Sequence, residues 1–241
     1  MSWDIVVIFF ILTVLIPWRG REKMKKLLAQ PQVGTTERLT LYAATIAFQW
    51  LLASVVAWRA WTHGYTAAQL GLTMPGQGKL LIVGIVGGVT IATLQWFNLR
   101  RVGKIPIHKR GPLVAIADRI FPKSTLELLP YFALAVTAGL CEEFLYRGFV
   151  MAVLAHIGFP IWAAVLVSSV MFGLAHLYQG RSGLLGTLLI GTVLGMARIA
   201  YDSLIPVIFW HSALDLVAGV AGPRYLLAPP AAEAERKENP T

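Results

Sequence analysis

The chain has 241 residues, 56% of them hydrophobic and only 14% charged, whereas an ordinary soluble domain is about 25% charged. With a mean hydropathy of +0.65, this composition excludes a disordered chain and argues against a soluble globule. The formal net charge of +9 comes with no readout motif, so no nucleic-acid partner is expected.

The apolar residues fall into blocks close to the ~20 needed to cross ~30 Å of hydrocarbon. Blocks at 5–18, 39–58, 80–99, 128–157, 159–177, 183–200 and 204–221 predict about seven transmembrane helices. The fold class is therefore all-α, a polytopic membrane bundle. No basic residue precedes the first block and several follow it, the reverse of a cleavable signal peptide, so it reads as an uncleaved helix. The first connection carries Arg19, Arg21, Lys23, Lys25, Lys26 and Arg38. The stretch from 59 to 78 has Arg59 alone, and the next connection carries Arg100, Arg101, Lys104, Lys109, Arg110, Arg119 and Lys123. By the positive-inside rule both basic connections are cytoplasmic, which sets the N-terminus outside and the C-terminus inside. The expected location is a plasma membrane, the bacterial inner membrane in particular. The lipid bilayer itself is a partner, with the cations near anionic headgroups.

Gly84 and Gly88, and likewise Gly191 and Gly195, have the four-residue spacing that lets helix backbones approach closely in lipid. Gln49 and Gln95 can hydrogen-bond across helices. No repeat at a fixed period supports a repeat-built transporter. The chain divides into N-terminal helices and basic loops (1–127), a core carrying the chemistry (128–221) and a flexible C-terminal tail (222–241). The last part of that tail, from 228, is rich in Ala, Pro and charge.

Ionisable residues inside spans cost ~2.5–3.5 kcal/mol each at a helix centre, and here three spans hold several. The fourth holds Glu142, Glu143 and Arg147, the fifth His176, and the seventh His211 and Asp215. Glu143 and Arg147 are four apart and can pair on one helix face. Glu142 points about 100° away and is free to face something else. His211 and Asp215 are also four apart. Asp215 can orient the imidazole, or both can present polar atoms to one ligand.

Counting from the turn at 158–160, Glu142 and His176 come level, ~24–27 Å from it, whereas His211 is only ~10 Å into its span. A carboxylate beside a neutral His can take a proton from water attacking a carbonyl, and a second His can stabilise the oxyanion. Glu142, His176 and His211 also form a His₂Glu set of the kind that binds catalytic zinc. The spacing leaves both readings open. Cys141 reads as a small core residue, and as the single Cys it excludes an intrachain disulfide framework and a Cys-rich zinc site. His156 belongs at the outer interface, and His63 and His108 fall in loops.

The order Glu142-Glu143-x-x-x-Arg147, Phe172-x-x-x-His176, His211-x-x-x-Asp215 resembles the three motifs of the CPBP family. That family comprises CaaX prenyl endopeptidases of the Ras-converting type and bacterial bacteriocin-processing or self-immunity (Abi) proteins. The resemblance runs over 128–221. It implies an intramembrane endopeptidase acting on a membrane-anchored peptide or protein. Glu142 would be the water-activating base, assisted by His176. His211 and Asp215 would form the oxyanion side, with Glu143 and Arg147 in support. The family's third motif often ends in Asn. An ionised Asp215 cannot donate a hydrogen bond, which suits it better to orienting His211 or ligating a metal. The family has been described both as zinc-dependent, through Glu142, His176 and His211 here, and as metal-free. The metal-free reading is preferred. The competing functions are a non-enzymatic bacteriocin immunity or scaffold protein on the same fold, and a small transporter using the polar residues as an ion path.

Overall fold

The computed structural model describes residues 2–111 and 113–227, with Gln77 described by its backbone alone. Among these residues there are eight helices and no strand. Six helices are long and apolar enough to cross a membrane. In chain order they are α1 (Trp3–Ala29), α2 (Thr35–Thr62), α3 (Gly78–Val102), α5 (Thr125–His156), α7 (Gly180–Tyr201, preceded by a single turn at Leu177–Gln179) and α8 (Ile205–Leu227). The other two are α4 (Leu113–Ile120) and α6 (Ile161–Ala175).

Three elements differ from the sequence reading. First, α1 does not stop near Trp18 but continues through the basic run to Ala29. Lys, Arg, Glu, Met and Leu are good helix formers, and nothing ends the helix until Pro31, which disfavours helical backbone at the preceding residue. Within α1 a π-helical turn spans Ile11–Leu15, just before Pro17. The Pro17 ring would crowd the carbonyl of Thr13, and the wider turn relieves that clash. Second, the predicted fifth span is α6, only 15 residues and thus ~22 Å long. Third, the second basic connection is partly helical, containing α4.

Helix α5 lies between α2 and α8, α8 carries α3 on another face, and α6 packs on α7. All seven residues of a π-helical segment in α5, Phe144–Val150, are buried. The main core spreads from this segment to Leu12 of α1, Val56 of α2, Phe172 of α6, Leu194 of α7 and Val207 of α8. Gly84 and Gly88 let α3 close on Phe209 and Ala213 of α8, while Gly191 and Gly195 bring α7 against Phe172 and Val165.

Two cations counted in the basic connections are buried and have structural partners. Arg38 is 4% exposed. It forms a two-bond pair with Glu127, Nε to Oε2 at 2.9 Å and Nη2 to Oε1 at 2.9 Å, which locks the start of α2 to the start of α5. Arg110 donates to the carbonyls of Gly103, Ile105, Tyr225 and Leu226, tying down the end of α8. Residues 222–227, assigned to the tail from sequence, complete α8. The expected flexible stretch from 228 lies outside the described residues.

Candidate active site

The six ionisable residues singled out from three spans gather at one level of the bundle. On α5, Glu143 Oε1 accepts from Arg147 Nη1 at 2.9 Å. The same oxygen accepts from His211 Nδ1 of α8 at 2.7 Å. Both members of the Glu143–Arg147 pair are buried, at 0% and 1% exposure. The guanidinium of Arg147 also lies over the Phe172 ring, 4.1 Å from its centroid, a favourable cation–π geometry. The orienting bond to His211 thus comes from Glu143. Asp215, expected to supply it, stands with Oδ2 3.6 Å from His211 Nε2, beyond hydrogen-bond reach.

His176 is the residue that ends α6. Its Nδ1 lies 2.9 Å from the carbonyl of Phe172. A carbonyl only accepts, so Nδ1 carries the proton and Nε2 of the neutral ring presents a lone pair. Phe172 separates the two imidazoles, with ring centroids 4.7 Å from His176 and 5.8 Å from His211. Gly180, at φ 79°, adopts the left-handed backbone that starts α7 immediately after this turn.

Glu142 differs from its neighbour. Its Oε1 accepts from Gln49 Nε2 of α2 at 2.6 Å. Its Oε2 has no hydrogen-bond partner and faces both imidazoles, 3.9 Å from His176 Nε2 and 4.0 Å from His211 Nε2. The side chain of Asp215 is 40% exposed against 19% for Glu142, so Asp215 marks the open rim of the site.

Despite the depth mismatch counted for it, His211 of α8 reaches Glu143. The turn between α7 and α8 is tied to the 63–76 connection, with Leu204 N donating to Gly71 O at 2.8 Å and Ser203 Oγ to Thr73 O at 2.9 Å. These bonds fix where α8 starts, and His211 comes level with Glu143.

Zinc would bind its ligands at ~2.0–2.2 Å in a tetrahedron, which sets donor atoms about 3.3–3.5 Å apart. The Glu142-to-imidazole separations of 3.9 and 4.0 Å are wider. Among the described residues no group of three His, Cys, Asp or Glu is arranged to hold a metal ion. As they stand, these donors do not fit a tetrahedral zinc.

Gln49 is the site residue that sequence reasoning missed. It reads there as a helix-bridging amide, and nothing in its local pattern points to Glu142, 93 residues away.

Residues 124–217 match the family model for type II CAAX prenyl endopeptidase, Rce1-like. The match covers under half of the chain, which over this segment is similar to that family. The Rce1-like segment spans α5 to most of α8 and contains Glu142, Glu143, Arg147, His176, His211 and Asp215, whereas Gln49 lies outside it. No curated protein and no solved structure matches the chain. The family of membrane proteases and the six apolar helices agree in making this an integral membrane protein.

Proposed function

We propose that the protein is an intramembrane endopeptidase in which Glu142 activates water without a metal. The observation that carries this reading is the convergence of Glu142 Oε2 with two imidazole nitrogens at 3.9 and 4.0 Å. Two atoms that each hydrogen-bond one water at about 2.8 Å, at a right angle, stand about 4.0 Å apart. Glu142 takes a proton from that water as its oxygen attacks the scissile carbonyl, and returns the proton to the leaving amine. His176 Nε2, left as an acceptor by the bond from Nδ1 to Phe172 O, holds the water's second hydrogen. His211, its Nδ1–H held by Glu143, acts as the doubly protonated imidazolium and donates from Nε2–H to the oxyanion that forms on the carbonyl, keeping both protons. Arg147 balances Glu143 and stays out of the reaction.

The substrate is a membrane-anchored peptide or protein, either a CaaX-type prenylated chain or a small exported peptide. The Lys and Arg asymmetry supports an orientation with both basic connections cytoplasmic, the N-terminus outside and the C-terminus inside.

Purified protein incubated with a prenylated CaaX peptide and, separately, with an unmodified apolar peptide tests the reading by mass spectrometry. Cleavage is expected to survive exhaustive chelation and to fall by ~10²–10⁴-fold or more in Glu142→Gln, which keeps shape but removes the base. Asp215→Asn, at the rim, is expected to keep much of the activity. Chelator-sensitive cleavage restored by added zinc would overturn the metal-free mechanism, and an undiminished Glu142→Gln would overturn the role of Glu142.

A further inference from the structure

We propose that Gln49 is a positioning residue of this site, holding one oxygen of Glu142 so that the other alone faces the imidazoles; this rests on the peptidase reading above. An ionised carboxylate offers only acceptors, so the amide must present its N–H₂ to it. Gln49 Nε2 does so at 2.6 Å to Oε1. The carboxylate then cannot spin or present Oε1 to the cavity, and Oε2 becomes the single basic atom. Gln49 Oε1 is buried and has no partner. Glu142 is therefore the amide's one hydrogen-bond partner among the described residues.

A purely structural role as a bridge between helices explains less. Helix α2 is already fastened to α5 by the two-bond Arg38–Glu127 pair at one end. At the adjoining residue, Trp50 Nε1 donates to Thr137 Oγ1 at 3.3 Å. These anchors, both N-terminal to Glu142 on α5, hold α2 along α5 and keep the Gln49 amide in register. The consequence is that the segment carrying the family motifs does not contain the whole site, because α2 supplies part of it.

The test replaces Gln49 by Met, close in size and unable to donate. Turnover should fall ~10–100-fold, the usual effect of losing a hydrogen bond that orients an active group. KM should stay within about twofold and the melting midpoint should not move appreciably, a split that a structural role would not give. A second readout needs no activity. Dicyclohexylcarbodiimide modifies membrane-buried carboxyls, and mass spectrometry gives the ratio of labelling at Glu142 to that at Glu143. Freed from its amide, Glu142 should label several-fold faster relative to Glu143. An unchanged ratio, or turnover unchanged in Gln49→Met, overturns the proposal. Should Gln49→Met fail to fold, Gln49→Asn, one methylene too short to reach, is read by the same ratio. A wild-type protein that cleaves no peptide sinks the peptidase reading alone, because the labelling ratio still decides the role of Gln49.

Discussion

Glu143 Oε1 takes two hydrogen bonds at once, from Arg147 and from His211. One fully buried carboxylate therefore neutralises the guanidinium over Phe172 and fixes the orientation of the His211 ring. Removing one partner of a buried ion pair strands the other charge, at a cost of roughly 3–5 kcal/mol. Glu143→Ala should lose about that much in denaturant unfolding in detergent. The double variant Glu143→Ala/Arg147→Met should lose less than Glu143→Ala alone, because no bare charge remains; equal or greater loss would contradict this account. The Glu143–Arg147 pair was legible in the sequence because helix geometry sets contacts four residues apart. The Glu143–His211 bond was not, since the partners are 68 residues apart and helix periodicity says nothing across that distance. Asp215 looked like the orienting residue for the same reason, being the polar neighbour that local spacing offers.

At the scale of elements, α5 and α8 must approach closely for Glu143 to reach His211. The residue that permits this is Gly139, one turn before Glu143. A Cβ there would collide with Ser212 Oγ and lie 3.0 Å from the backbone oxygen of Ile208. A hydroxyl can rotate away, but a helix carbonyl cannot. Gly139→Leu should therefore separate the helices and abolish cleavage with every ionisable residue still present, at an overpacking cost of ~1–3 kcal/mol. Gly139→Ala paired with Ser212→Ala should recover part of the activity. Peptide cleavage and thermal unfolding measured together distinguish displacement from collapse. The sequence pattern picked out Gly84, Gly88, Gly191 and Gly195 by their spacing. Gly139 has no glycine four residues away, only Ala135, and stayed invisible. Hydropathy likewise found the apolar stretch that becomes α6, yet overran its ends, because the adjoining apolar residues Phe159 and Leu177 sit in turns.

For the whole molecule, the charge asymmetry makes a topological prediction. Ala67, exposed in the 63–76 connection, and Lys104, exposed after α3, should lie on opposite sides of the membrane. In intact cells Ala67→Cys should react with an impermeant maleimide, and Lys104→Cys only after lysis. The single native Cys141 is buried and should contribute no background. Labelling of position 104 from outside would reverse the orientation. Burial of Arg38 and Arg110 takes two cations out of the interfacial count, but the rule still rests on the others. The shortness of α6 bears on the lipid as well. Trp162, Leu166 and Val170 are exposed along one side, so this helix faces acyl chains over only ~22 Å, against a hydrocarbon slab of ~30 Å. A hydrophobic surface shorter than the slab favours local thinning of the bilayer, at a fraction of a kcal/mol per Å of mismatch. Thinning there would fall next to His176, where α6 ends, and would ease the arrival of water and of a polar peptide bond from the headgroups. Turnover in reconstituted vesicles should accordingly rise as acyl chains are shortened and fall as they are lengthened, with the protein equally folded in each.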